Sequence, residues 1–184
     1  MDTDIIIFVV ELILSLAMIM VGCILYFGNP ANSRLRKMEK KVTGYLTHEG
    51  YHWEKLEGVL TVRRSGLYFR IFLDESKEVQ STLLMIQYAT NDESLINMHW
   101  VGQNTMVNTL ANKHPVLNAG VTTENNMLWV HYRADIRSRK EFAFHFNVAY
   151  NEIQSFLNDC CELLPKLQSD FPAQAKVQKP IGFV

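Results

Sequence analysis

The chain is short of cysteine, of net charge and of basic residues at its start, and each shortage narrows what it can do. Three cysteines occur in 184 residues: Cys23, Cys160 and Cys161. The last two are adjacent and cannot staple a fold, so no disulfide framework is implied, which suits a reducing compartment. Acidic and basic side chains nearly balance, 19 against 18, for a net charge of −1. That leaves no overall electrostatic pull toward nucleic acid. No Lys or Arg precedes Arg34, and Asp2 and Asp4 stand at the start, unlike the basic leader of a cleaved signal peptide. The sequence also lacks a phosphate loop, a dinucleotide fingerprint, a G-x-S-x-G elbow and any internal repeat.

What stands at the start instead is an uninterrupted apolar run, Ile5 to Phe27. As a helix it would reach roughly 35 Å, enough to cross a hydrocarbon core of roughly 30 Å. Arg34, Arg36, Lys37, Lys40 and Lys41 follow it, against the single acid Glu39. By the rule that positive charge stays inside, residues 1–30 are expected to be a single-pass anchor in the inner membrane. The N-terminus would lie outside and the rest in the cytoplasm. Met20-Val-Gly-Cys23 loosely resembles a lipobox, but the chain stays apolar after Cys23. Glu11, Ser15, Met18 and Gly22 fall on one face of such a helix. Small and polar residues on one face are what membrane helices use to meet each other, so these are candidate contact residues.

The remaining chain is long enough for one domain with its own core. Leu35, Met38, Val42, Tyr45 and Leu46 keep helical spacing from Ser33 to His48, and Gly50 is placed to end that helix. Strand patterns follow over 58–66, 67–73 and 81–88, with a Ser65-Gly66 turn. Thr105–Asn112 reads as a helix with Asn104 as its cap, ended by His114-Pro115. Val116–Thr123 and Met127–Ala134 flank a hairpin turn at Glu124-Asn125-Asn126. Ser138-Arg-Lys-Glu141 is a capping box. It opens a helix whose stripe is Phe142, Phe146, Tyr150, Ile153, Leu157, Cys160 and Leu164, bounded near Pro165. The expected organisation is an anchor over 1–30, an α+β domain over 31–165 and a polar, loose tail over 166–184. Within the domain the order would be helix, three strands, helix, two strands, helix, with an antiparallel sheet.

That order, with three local phrases, resembles the YbjN-type domain, which has the fold of type III secretion chaperones. The phrases are Gly66-Leu-Tyr-Phe-Arg-Ile-Phe-Leu-Asp-Glu75, Val107-Asn-Thr-Leu-Ala-Asn112, and the hairpin leading into a long last helix. The resemblance covers about residues 34–164. It implies a domain, often dimeric, that binds proteins or regulates and has no catalytic residues; it supplies no site residues. The membrane anchor departs from it.

Two constellations could carry chemistry. His48-Glu-Gly-Tyr-His52 satisfies the H-E-x-x-H pattern of zinc peptidases, in which both histidines share one helix face and the Glu is the general base. Gly50 between the histidines, where the helix pattern stops, argues instead for surface histidines at a helix end. Cys160 falls on the buried stripe as a small hydrophobe, and Asp159 and Glu162 disfavour a reactive thiolate at Cys161. Trp100, Trp129 and Tyr132 lie near Arg133, Arg137, Arg139 and Lys140, a pattern better read as a solvated hairpin edge than as a nucleic-acid surface. No enzyme activity, metal or cofactor is therefore expected. The expected partners are the membrane and a protein or a second copy, not nucleic acid. In 67–73, Tyr68, Arg70 and Phe72 alternate with Leu67, Phe69, Ile71 and Leu73, so both strand faces are apolar or aromatic. One face then needs cover from the core and the other meets a partner, with Arg70 and Phe72 as its candidate contacts.

Overall fold

The computed structural model describes residues 14–19, 30–76, 80–90, 98–122 and 127–172. Helix α1, Pro30–His48, is followed by strands β1 His52–Leu56, β2 Val59–Arg64, β3 Leu67–Glu75 and β4 Thr82–Thr90. Helix α2, Trp100–Lys113, then leads to β5 Leu117–Val121, β6 Leu128–Ile136 and the long α3, Arg139–Asp170. The strands form one antiparallel sheet in the order β1-β2-β3-β4-β6-β5. Two of its hairpins turn on pairs with positive φ, Glu57-Gly58 (49° and 84°) and Ser65-Gly66 (48° and 84°). This is the mirror-image turn whose twist matches that of the strands.

The sheet's two faces separate by register. Leu60, Ile71, Ile86, Tyr132 and Leu117 sit side by side across five strands, and all are buried. Val62, Phe69, Tyr88, Val130 and Ala119 form the next row on the same face. The helices cover this face with Met38, Val42 and Leu46 from α1, Met106 and Leu110 from α2, and Phe142, Phe146, Ile153 and Phe156 from α3. Arg64, at the end of β2, is held among aromatic rings. Its guanidinium lies 3.8 Å from the Tyr150 ring centre and donates to Asn147 Oδ1 at 2.8 Å.

The expected membrane-spanning helix is not supported. Among the described residues no helix is long and apolar enough to cross a membrane. Of the run Ile5–Phe27 only 14–19 are described, as an exposed helical stretch. The basic run has a different role from the one expected. Arg36, Lys37, Lys40 and Lys41 are the solvent side of α1, while Met38 and Val42 on its other side enter the core. Charge at 34–41 is therefore accounted for by the amphipathic helix of a packed domain. The single-pass inner-membrane placement and the membrane as partner rested on that helix and are likewise not supported.

Three further boundaries differ. A fourth strand, β1, precedes α2 where three strands were expected. Its residues His-Trp-Glu-Lys-Leu are exposed except for Trp53, as an edge strand with nothing to bury on one side should be, so no apolar alternation marks it. Helix α2 begins at Trp100, not near Thr105, capped by His99, whose Nδ1 accepts from Val101 N at 3.3 Å. Gly102 lies inside the helix because a Cβ there would meet Met98 Sδ at 2.7 Å and Phe171 Cβ at 2.8 Å. Helix α3 continues past Pro165 to Asp170. Pro165 is exposed, so its ring and lost hydrogen bond face water, while Leu167 beyond it is buried. The turn 123–126 and residues 173–184 of the tail lie outside the described residues.

Candidate functional site

The second face of the sheet follows from the same register, one residue displaced. Among the described residues no helix packs on it. Thr61, Arg70, Gln87, His131 and Asn118 form a polar row across five strands. Beside it runs an apolar row: Leu56 pairs with Val59, and Phe72 pairs with Met85, which pairs with Arg133. Val59 adjoins Phe72 by continuation of the β2–β3 register. Beyond these, Asp74 pairs with Leu83 and Leu83 with Asp135, an acidic end. On the opposite side Arg63 lies over the Tyr68 ring, 5.5 Å from its centre. A groove of about 410 Å³ opens between β1, β2 and β3, lined by Leu56, Glu57, Val59, Thr61, Arg70 and Phe72.

Local packing fixes several of these side chains. Trp129 lies across Gly120 so closely that a Cβ at 120 would strike its ring. The same indole stacks on His131 at 5.1 Å, with 8° between planes. Burial pushes the His131 imidazole below its usual range, and Arg133 beside it adds to the effect. Imidazole and indole therefore make a flat, neutral platform at the β6 side of the face.

The candidate contact residues fall in two groups. Arg70 and Phe72 come together on the uncovered face, Arg70 exposed and Phe72 half-buried. Ser15 and Met18 lie on the exposed 14–19 stretch, whereas Glu11 and Gly22 lie outside the described residues. Met85 and Leu83 belong to the face but were not singled out in the sequence, and Trp129 and Arg133, read there as a solvated hairpin edge, share it. Leu83–Ile86 is apolar on every residue, so neither side of β4 is marked until its pairing with β3 is known.

The H-E-x-x-H segment does not form a peptidase site. Helix α1 ends at His48, Gly50 takes a φ of 73°, and His52 begins β1. Gly50 N donates to Thr47 O and Tyr51 N to Leu46 O, closing the helix. The two histidines thus lie on different elements. Among the described residues no group of three or more His, Cys, Asp or Glu could hold a metal ion. Cys160 is buried, and burial pushes its thiol up to about 12.

A second polar cluster joins α2 to α3. Buried His114 sits with Nε2 2.7 Å from Asp159 Oδ2 and Nδ1 3.4 Å from Glu152 Oε2. Lys113 Nζ donates to Asp159 Oδ1 at 2.6 Å. The Phe156 ring meets the imidazole edge. Carboxylates at both ring nitrogens make this a clamp between helices. The hydrogen bonds from Lys113 and then His114 hold the Asp159 carboxyl below the usual range, against a smaller desolvation effect. A carboxyl depressed in the folded state stabilises it above the unfolded pKa, and that contribution is lost as pH falls through the folded pKa. Removing the charge by Asp159→Asn is therefore expected to flatten the acid side of the stability–pH curve. Urea midpoints of the two proteins should converge below about pH 4 and separate at neutral pH. Curves that stay parallel across that range would contradict the role of this carboxylate.

No family model matches this chain, and no curated protein does. Among solved structures, the crystal structure of YbjN from E. coli matches over 73% of this chain and 95% of its own, with a TM-score of 0.44 and 10% sequence identity. The likeness is one of layout, and it carries no argument about activity or partners.

Proposed function

We propose that this domain is a non-catalytic protein-binding module that receives its partner on the uncovered sheet face. One observation carries the reading: the apolar row Leu56, Val59, Phe72, Met85 lies on a face that no described helix covers. Large side chains placed side by side at the surface, rimmed by polar groups, mark interaction sites. Arg63 and Arg70 on one side, Asp74 and Asp135 on the other and Arg133 at the end of the row form such a rim. Aromatic and Arg side chains are also the types that most often anchor protein partners.

The test is selection of 12-residue peptides from a random display library on the full chain, followed by fluorescence anisotropy. Selected peptides should bind the wild-type chain and lose at least tenfold in affinity to Met85→Asp. Binders that treat the two proteins alike would show that the face is not the binding surface.

A further inference from the structure

Resting on that reading, we infer that the groove between β1, β2 and β3 selects a peptide segment in which a bulky apolar side chain stands between an acidic and a basic residue. The groove's own chemistry names this occupant. Its walls are Leu56, Val59 and Phe72, and its volume of about 410 Å³ lies within the range of small binding pockets. Leu56 is 59% exposed, so its wall of the groove is open to water and gains most from being covered.

The two ends of the groove carry opposite charge. Arg70 stands in the polar row, paired across strands with Thr61 and Gln87. Glu57 stands in the β1–β2 turn on the far side of Val59. Among the described residues neither side chain makes an ion pair: the salt bridges of this region end at Lys55 with Glu39. Arg70 and Glu57 are thus a cation and an anion held apart by apolar walls. A segment that fills the walls and brings an acid to Arg70 and a base to Glu57 satisfies all three features together. A segment with like charges on both flanks meets one attraction and one repulsion. The guanidinium adds geometry to the attraction, since its fork donates two parallel hydrogen bonds to a carboxylate.

Three blocked nonapeptides in a Gly-Ser background test this against the full chain by NMR titration: Glu, Phe and Lys at positions three, five and seven; Glu, Phe, Glu; and Lys, Phe, Lys. The wild type should bind the Glu-Phe-Lys peptide at least fivefold better than either other, with the largest shifts at Val59, Arg70 and Phe72. Arg70→Glu makes both ends acidic and should move the preference to Lys-Phe-Lys. Glu57→Lys makes both ends basic and should move it to Glu-Phe-Glu. Arg70→Gln should weaken Glu-Phe-Lys and Glu-Phe-Glu binding and, by removing one repulsion, raise Lys-Phe-Lys binding by less than Arg70→Glu does. Both positions are exposed, and unchanged thermal midpoints will show that the variants fold. An unaltered ranking in the charge variants overturns the inference, as does a wild type that binds none of the three. If display-selected binders still depend on Met85 in that case, the protein-binding reading stands and only the groove's selectivity falls.

Discussion

Phe146→Ala is expected to lower the unfolding free energy by about 3–5 kcal/mol, the range for emptying a large aromatic site in a core. Phe146 is 1% exposed. It stacks on Phe142 at 5.6 Å, meets Tyr51 edge-on at 5.5 Å and lies under the Arg64 guanidinium at 5.6 Å. It therefore joins α3 to the end of α1 and to β2. The truncation leaves a cavity where three elements meet, and it uncovers part of a cation held there by ring faces. Phe144 supplies the internal control. It is the same residue type two positions away on the same helix, but 63% exposed. Phe144→Ala should change stability by less than about 0.5 kcal/mol. Urea unfolding monitored by circular dichroism, with slopes compared, measures both. Equal losses at 144 and 146 would mean that α3 presents a different face to the sheet.

Phe72→Glu is expected to do the opposite: a small effect on folding and a large one on binding. Phe72 is half-buried on the uncovered face, beside Met85 and Val59. A carboxylate there remains in water in the free protein, so stability should fall by less than about 1 kcal/mol, as for surface strand positions. In a complex the same carboxylate would be buried against apolar groups without a partner, which is costly. Affinity for display-selected peptides should fall a hundredfold or more, equivalent to about 2.7 kcal/mol. A variant that unfolds would place Phe72 in the core, and a stable variant that binds normally would remove it from the interface.

How far the sequence foretold these features depends on what each stretch buries. α1 and the start of α3 were legible because their apolar residues recur at helical spacing and their ends carry caps. Ser138 Oγ accepts from Glu141 N at 3.2 Å, and Glu141 Oε2 accepts from Arg137 N at 2.7 Å, so the box closes one residue earlier than its usual form. The stripe of α3 was partly read. Phe142, Phe146, Ile153 and Cys160 are buried, but Ala149 and Phe156 take the places given to Tyr150 and Leu157. β1 was missed because an edge strand of mostly exposed residues leaves no periodicity. The start of α2 was misplaced because Gly102 reads locally as a break, and only its contact with Met98 and Phe171 explains a glycine inside the helix. The membrane anchor was inferred from the apolar run Ile5–Phe27 and its basic flank, and most of the charges used to orient it are the wet side of α1.

The candidate site was legible only in one strand. Alternation along Leu67–Leu73 put Arg70 and Phe72 on one face, since side chains of a strand alternate. It could not say which other residues share that face, because register is a property of strand pairs. The pairing of β3 with β4, and of β4 with β6, brings Met85, Leu83, Trp129 and Arg133 to it. The groove needs more still, since the Glu57-Gly58 turn folds β1 back to form its wall. Glu57 was therefore invisible as a binding residue, because with β1 missed no turn was read at Glu57-Gly58.

The central claim is that the partner meets the uncovered sheet face and not the helical layer. Photo-crosslinking in cells tests it directly, with a photoreactive phenylalanine analogue placed at Phe72 in one protein and at Phe144 in another. Both positions hold phenylalanine, and they lie on opposite layers of the fold. A discrete adduct from position 72, absent from 144 and lost when Met85→Asp is added, is the predicted result. Adducts from 144 with none from 72 would contradict the account.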